Sequence, residues 1–169
     1  MIRTMTALIV LGLVLLSGPG AATRAEAQEW IAGAGFADFN FRRSQDTALL
    51  SLEYIHEPFH SASRFEAAWS GAAQVHATGD IFVGIGITAT YALGGSWFVQ
   101  GSVMPGAYVE HLSVNNLGSR FEIRSLLGLG YRLGGRDALS LAVSHLSNAS
   151  TAQFNPGVNS VLLRYHRRF

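Results

Sequence analysis

The sequence predicts an all-β protein, an eight-stranded antiparallel up-and-down transmembrane β-barrel. Stretches of about ten residues with alternating apolar and polar character follow one another along most of the chain, which is the pattern of barrel strands. Charged residues make up only 14% of the 169 residues, well below the roughly 25% usual for soluble domains. Hydrophobic content is ordinary at 49%, and the chain contains 19 glycines.

The first residues have the pattern of a secretory signal peptide. Arg3 supplies a positive charge, residues 7–16 are apolar, and the small-residue site Ala25-Glu26-Ala27 precedes Gln28. The apolar stretch is shorter than the roughly 20 residues that span a bilayer as a helix. We therefore expect residues 1–27 to be a signal peptide and residues 28–169 to form the barrel. The alternative is a short N-terminal anchor helix.

Eight strands are predicted after the signal. Their ranges are 30–39, 47–54, 64–75, 80–91, 97–107, 119–133, 138–148 and 158–169. Clusters of Gly, Pro, Asn, Asp and Ser break the chain between them, among them Glu57-Pro58, Asn115-Asn116 and Asn155-Pro156-Gly157. An even number of strands lets an up-and-down barrel close without an exposed edge.

The alternation distinguishes two faces in the later strands. In the sixth strand, for example, Phe121, Ile123, Leu127 and Leu129 alternate with Glu122, Arg124 and Gly128. In a membrane barrel the apolar face meets lipid, and the charged residues pair inside a narrow lumen that the glycines relieve. A soluble periplasmic barrel would show the same alternation, but the signal, the long strands and the chain end favour the membrane. Residues 31–35 are all small or apolar, so the alternation assigns no lipid face to the first strand.

The last strand carries its own indication of the membrane. Leu163, Tyr165 and Phe169 share one face, and the terminal aromatic resembles the assembly signal of bacterial outer-membrane proteins. Aromatic residues near strand ends suit the two interfacial girdles of such barrels; these residues are Trp30, Tyr54, Tyr91, Trp97 and Tyr131. We expect the protein in the bacterial cell outer membrane.

The end of the seventh strand carries the candidate chemistry. His145 and Ser147 are separated by one residue, so both project from the same face of a strand. That face continues through Leu141 and Val143, the apolar row that meets lipid. Polar groups on such a row are costly away from the interface. The alternative is a polar rim at the membrane surface, where they cost little.

This motif resembles one particular family. His145-Leu146-Ser147-Asn148-Ala149, followed by Asn155-Pro156-Gly157 and a final strand that ends in an aromatic, is similar to the PagL family of lipid A 3-O-deacylases. The resemblance implies an outer-membrane serine esterase that removes the ester-linked acyl chain at the 3 position of lipid A. It assigns Ser147 as nucleophile and His145 as general base, with no cofactor.

The sequence departs from the family where the acid of the triad is expected. The family's acid, often Glu, falls on the position of Asn159, which shares the lipid-facing side of the last strand with Val161. An Asn side chain can accept a hydrogen bond from the imidazole, but it carries no charge. Ser150 stands where many relatives have Gly. We expect the backbone N–H groups of Asn148, Ala149 and Ser150 to form the oxyanion hole.

The expected partners are lipid A, or lipopolysaccharide, and the outer membrane. Arg42 and Arg43 lie in the first outer loop and are candidates to bind the phosphates of lipid A. The net charge of +1 gives no reason to expect nucleic acid, and the histidines lack carboxylates at ligand spacing, so no metal is expected. A homodimer stays open. The rival hypothesis, which Asn159 keeps open, is a non-enzymatic structural or adhesin-like barrel.

Overall fold

A computed structural model describes residues 28–169 and shows a closed barrel of eight antiparallel strands. The strands are β1 (Glu29–Phe39), β2 (Thr47–Ala62), β3 (Phe65–His76), β4 (Ile81–Gly94), β5 (Trp97–Val109), β6 (Phe121–Gly134), β7 (Asp137–Ser147) and β8 (Val158–Arg168). Each strand pairs with the next, and β1 pairs with β8 to close the sheet. The predicted fold class is confirmed. The signal peptide stays a prediction, since residues 1–27 lie outside the described residues.

One predicted break is wrong. The sequence predicts that the second strand ends near residue 54, before Glu57-Pro58, but β2 continues to Ala62. The register of β2 against β3 shifts on both sides of Pro58, between Ile55 and His60. Proline has no N–H to donate to a ladder, so a strand accommodates it at such an irregularity instead of ending there. The chain turns later, where Ser63 adopts a φ of 52°.

The outer face of the barrel is apolar. Along β4 the side chains of Val83, Ile85 and Ile87 point outward, and Ile85 is 75% exposed. Pairing with β2 and β8 also settles the first strand, whose outward side chains include Trp30 and Phe36. This belt of exposed aliphatic residues is what a barrel wall in contact with lipid requires.

Aromatic rings surround the end of the barrel where both termini lie. Trp30 packs against Tyr54 and Trp97 against Tyr131, each pair with ring centroids 5.0 Å apart. Tyrosine and tryptophan favour the boundary between lipid and water because their rings are apolar while one edge carries a polar group. The rings therefore mark one membrane interface.

The inside of the barrel holds a buried cluster of charges. The Glu53 carboxylate contacts Arg124 at 3.0 Å and Arg164 at 3.2 Å, and all three side chains are at most 1% exposed. Arg164 also donates to Gln100 Oε1 at 2.8 Å. The cluster links strands β2, β5, β6 and β8 across the lumen. A buried charge is tolerated when it is paired and hydrogen-bonded. Each of the three charged groups here has an ion pair and hydrogen bonds, although the Nε atoms of Arg124 and Arg164 have no hydrogen-bond partner among the described residues.

At the end opposite the termini, Asp80 holds the loops together. Its carboxylate accepts hydrogen bonds from the backbone amides of His111 and Leu112 and from the side chains of Thr78 and Asn115. Burial alone would raise the pKa of Asp80, but these four donors hold the pKa below its usual range. The loop between β3 and β4 is thereby tied to the loop between β5 and β6.

The central ion cluster gives a stability prediction. Glu53→Gln removes the one carboxylate that pairs with both Arg124 and Arg164, so two buried guanidinium groups lose their counter-charge. We expect the free energy of unfolding to fall by about 3–5 kcal/mol, measured by urea unfolding in lipid vesicles with tryptophan fluorescence. The control is Asp137→Asn, which breaks the solvent-exposed pair with Arg167 and changes stability little. Equal urea midpoints for Glu53→Gln and the unsubstituted protein would contradict the prediction.

The Asp80 contacts give a prediction about pH. Since the pKa of Asp80 is lowered in the fold, its contribution to stability is complete above its ordinary value of about 4 and is lost as the pH falls through the lowered value. We expect the hydrogen-exchange protection factors of the His111 and Leu112 amides to stay constant above about pH 4. They should fall as the pH drops through the lowered pKa of Asp80. Asp80→Asn should show low protection at every pH. A pH dependence that survives in Asp80→Asn would overturn the assignment.

Candidate active site

Four polar residues form a row across the outer wall of the barrel. Ser125 on β6 lies opposite His145 on β7, His145 lies opposite Asn159 on β8, and Asn159 lies opposite Asp38 on β1. All four side chains are exposed on the outer face. The row lies near the end of the barrel opposite the termini. It interrupts a wall that is otherwise apolar, which points to a site instead of a structural need.

A hydrogen bond joins the two central members of this row. His145 Nδ1 lies 2.8 Å from Asn159 Oδ1, and Asn159 Nδ2 donates to Asn40 Oδ1 at 3.1 Å. Because the amide nitrogen of Asn159 is used by Asn40, its oxygen faces the imidazole and accepts from Nδ1–H. This arrangement leaves the Nε2 lone pair of His145 free to accept a proton.

Gly157 packs against the edge of the His145 ring. A Cβ atom built on Gly157 would lie 2.9 Å from Cε1 and 3.3 Å from Nε2 of the imidazole, and the residue has a φ of +68°. Both the space and the backbone conformation therefore require glycine at this position. The Gly157 carbonyl also accepts a hydrogen bond from the Asn40 amide at 3.2 Å. The chain on both sides of the site thus holds His145 and Asn159 in place.

Ser147 ends strand β7 on the same face as His145. Its side chain is half-buried, and it lies opposite Ile123 of β6. Within residues 28–169 the Ser147 hydroxyl makes no hydrogen bond, to His145 or to any other group. The structure therefore brings His145 and Asn159 into contact, while Ser147 shares their face without bonding to the ring.

The loop after Ser147 is held by Asn148. The Asn148 side chain is fully buried and donates to the carbonyls of Leu117 and Phe154, while its backbone amide donates to Asn155 Oδ1. Ala149 and Ser150 follow with φ values of 52° and 62°. This left-handed conformation favours glycine, and here two non-glycine residues adopt it in succession. Within the described residues the Ala149 and Ser150 amides donate to no backbone or side-chain acceptor.

A groove runs down the outer wall from this row. Its volume is about 810 Å³. The residues that line it come from β1, β6, β7, β8 and the first outer loop; they are Phe36, Asp38, Asp46, Ser125, Leu126, Leu127, Val143, Ser144, His145, Asn159, Ser160 and Val161. The polar members lie at its outer end, and Phe36, Leu127, Val143 and Val161 extend toward the middle of the wall. Such a surface suits a ligand that joins a polar head to an apolar chain.

The catalytic roles of Ser147, His145 and Asn159 stay predictions. Asp38 and Asn40, which the structure places beside Asn159, were not predicted from the sequence. These two lie beside Asn159 only because β1 pairs with β8, a contact between the two ends of the chain. The one available signal was the acidic residue at the end of an otherwise apolar first strand. Among the described residues, no cluster of His, Asp or Glu could hold a metal ion. No helix in residues 28–169 is long and apolar enough to cross a membrane.

Similarity to solved structures agrees with this architecture. The crystal structure of the outer-membrane enzyme PagL superimposes with a TM-score of 0.67 at 19% identity, covering 83% of this chain and 99% of that one. Neisserial surface protein A follows with a TM-score of 0.56 at 11% identity, covering 84% and 96%. At these identities the similarity shows the fold alone. The comparison with curated proteins finds no match.

The family assignment comes from the sequence of the barrel itself. The family described as "Lipid A 3-O-deacylase (PagL)" matches residues 32–168, which is nearly the whole of the described chain. The match covers every strand that contributes to the polar row. It confirms both the resemblance carried by the His145–Ala149 motif and the expected location in the bacterial outer membrane. This chain belongs to the PagL family of lipid A 3-O-deacylases.

Proposed function

We propose that this protein is a serine esterase that removes the ester-linked acyl chain at the 3 position of lipid A. The observation that carries the proposal is the hydrogen bond between His145 Nδ1 and Asn159 Oδ1 on the outer wall. It holds the imidazole in the tautomer that a general base needs, on the face that meets acyl chains. Family membership supplies the substrate class and the bond that is cleaved.

In the first half of the reaction Ser147 Oγ attacks the ester carbonyl carbon. His145 Nε2 takes the hydroxyl proton as the bond forms, because a hydroxyl is a weak nucleophile until a neighbouring base accepts its proton. Rotation about the Ser147 side chain toward the ring precedes this step, and substrate binding favours it, as catalytic hydrogen bonds often tighten only in the complex. Collapse of the tetrahedral intermediate breaks the bond to the sugar oxygen, which takes the proton from His145.

In the second half a water molecule attacks the acyl-enzyme, and His145 again takes a proton and returns it to Ser147 Oγ. The negative oxygen of each intermediate needs donors close by. We assign this role to the amides of Ala149 and Ser150, which have no acceptor within the described chain. The Asn148 amide already donates to Asn155 Oδ1, so it contributes by holding the turn.

The position of the groove fits a lipid substrate. Its polar end lies near the rim of the barrel opposite the termini, where the outer leaflet of the membrane would place the sugar of lipid A. Its apolar part then lies along the acyl chains. Arg42 and Arg43 are exposed in the loop that connects β1 to β2 at this rim, where they can pair with the phosphates of lipid A. A homodimer stays a prediction.

Substitution of the two proposed catalytic residues tests the proposal. Ser147→Ala and His145→Ala should each lower the release of 3-hydroxy fatty acid from lipid A by at least about 10³-fold, since each removes one member of a unit that acts together. Mass spectrometry of lipid A from cells that make each variant gives the measurement. Both variants should keep the heat-modifiable mobility of a folded barrel.

The matched control is Ser102→Ala. Ser102 lies on β5 outside the groove, and its buried hydroxyl makes no hydrogen bond within the described residues, so we expect lipid A processing to continue. An unchanged lipid A profile from cells that contain the folded, unsubstituted protein would favour the rival hypothesis of a non-enzymatic barrel. Full activity of Ser147→Ala would exclude Ser147 as the nucleophile.

A second prediction concerns Gly157. Gly157→Ala places a methyl group 2.9 Å from Cε1 of His145, so the ring must move, and turnover should fall by about 10- to 100-fold. Gly135→Ala is the matched control, because Gly135 has a similar φ of +59° but no neighbour within 4 Å. Both variants carry the same kind of backbone strain, and only Gly157→Ala should lose activity. If Gly157→Ala and Gly135→Ala lost initial rate equally, backbone strain and not contact with the His145 ring would be the cause.

A further inference from the structure

We infer that Asp38 supplies the negative charge that Asn159 lacks, and that it acts on His145 from β1 across Asn159 as a positioning and charge-stabilising residue. The inference rests on the proposed function, since it concerns the base of that reaction. In a serine–histidine–acid triad a carboxylate accepts from the imidazole, and in this chain the uncharged Asn159 takes that position at His145 Nδ1. In the polar row the carboxylate nearest to His145 is that of Asp38, on β1, the strand beyond β8.

The register places Asp38 directly beside Asn159. The two residues are paired across β1 and β8, and Asn159 is paired with His145 across β8 and β7. Two strand spacings separate Asp38 from His145, a backbone distance of about 10 Å. Both side chains line the same groove, and no residue other than Asn159 stands between them in the row.

The charge of Asp38 is not used elsewhere in the fold. Within residues 28–169 its carboxylate has no ion pair and accepts no hydrogen bond. By contrast, Asp46, the other carboxylate of the groove, accepts a hydrogen bond from the Phe39 amide at 2.9 Å and so closes the first outer loop. Near the rim an exposed carboxylate costs little, so Asp38 can stay ionised, and its charge is available to the site.

The physics favours an effect at this distance. When His145 accepts the serine proton it becomes an imidazolium, and a negative charge nearby stabilises that state. Water would screen two charges about 10 Å apart almost completely, but acyl chains that fill the groove lower the effective dielectric constant. Asn159 meanwhile keeps the ring oriented. In a triad with an acid, one residue both orients the imidazole and supplies the negative charge. Here Asn159 orients the ring and Asp38 supplies the charge.

Few other charged groups face His145. Strand β6 presents Ser125 and Leu127 toward the groove, and β8 presents Asn159 and Val161, none of which titrates near neutral pH. The first outer loop contributes Asp46 to the groove, and the same loop carries Arg42 and Arg43. Asp38 is therefore the carboxylate closest in register to the imidazole.

The experiment compares Asp38→Asn with the unsubstituted protein in two measurements. In the deacylation assay we expect kcat to fall by about tenfold, with little change in KM, and the acid limb of the pH–rate profile to move to lower pH by about one unit. In NMR of the isotopically labelled protein in micelles, the titration midpoint of the His145 ring should move in the same direction. Asp46→Asn removes a charge from the same groove, one strand further from His145. It should shift the acid limb and the His145 titration midpoint by less than half as much as Asp38→Asn does.

A rescue variant separates charge from structure. Asn159→Glu places a carboxylate directly against His145 Nδ1, so in the Asp38→Asn background it should restore most of the lost kcat and return the acid limb toward its original pH. In the presence of Asp38, Asn159→Glu should raise kcat only slightly, because the imidazole already has a counter-charge. This non-additivity is the signature of two residues that serve one function.

Two results would overturn the inference. One is an acid limb and a His145 titration that Asp38→Asn leaves unmoved. The other is an effect of Asp38→Asn that is equally large with and without the Asn159→Glu substitution. If the unsubstituted protein releases no acyl chain, the proposed function fails instead. The NMR titration then still decides whether Asp38 acts on His145.

Discussion

The eight strands form a closed ladder of backbone hydrogen bonds, so each side chain points either into the barrel or outward to the membrane. Because the direction alternates along every strand, a single register determines the surroundings of nearly every residue. Glu53, Arg124 and Arg164 meet in the lumen, while Ile85 and Leu127 meet lipid. Closure also joins the two ends of the chain, since β1 must pair with β8. Asp38 joins the polar row only because of that last pairing.

The barrel separates the interactions that stabilise it from those that perform chemistry. The charge cluster around Glu53 lies in the lumen, shielded from both lipid and water. The polar row lies on the outside, near the rim, where polar groups are least costly in a membrane. Strands position His145 and Asn159. The loop between β7 and β8 is tied down through Asn148, and Asp80 ties together two of the other outer loops. A rigid wall with braced loops is well suited to hold catalytic groups within the narrow tolerance that catalysis requires.

The alternation of apolar and polar residues was most informative in strands that carry large apolar residues on one face and polar residues on the other. It predicted eight strands and the outward side of the strand that carries His145, because a one-residue slip would expose charge to lipid. It gave no answer for β1, where small residues occupy both faces, and so it missed Asp38. It also misplaced the end of β2, because Glu57-Pro58 has the composition of a turn while the ladder accommodates Pro58 at an irregularity.

Local patterns in the sequence were enough to predict the class of fold, the family to which the His145–Ala149 motif belongs and the face on which that motif lies. The period of a strand and the chemistry of a short motif are both written in consecutive residues, so neither needs the folded chain. The groups that surround His145 became known only from the folded barrel: Asn40 and Asp38 from the first strand and its loop, and Gly157 against the ring. The proximity of Asn40 and Asp38 depends on the register of pairing between chain segments more than 100 residues apart, and no local pattern encodes that register.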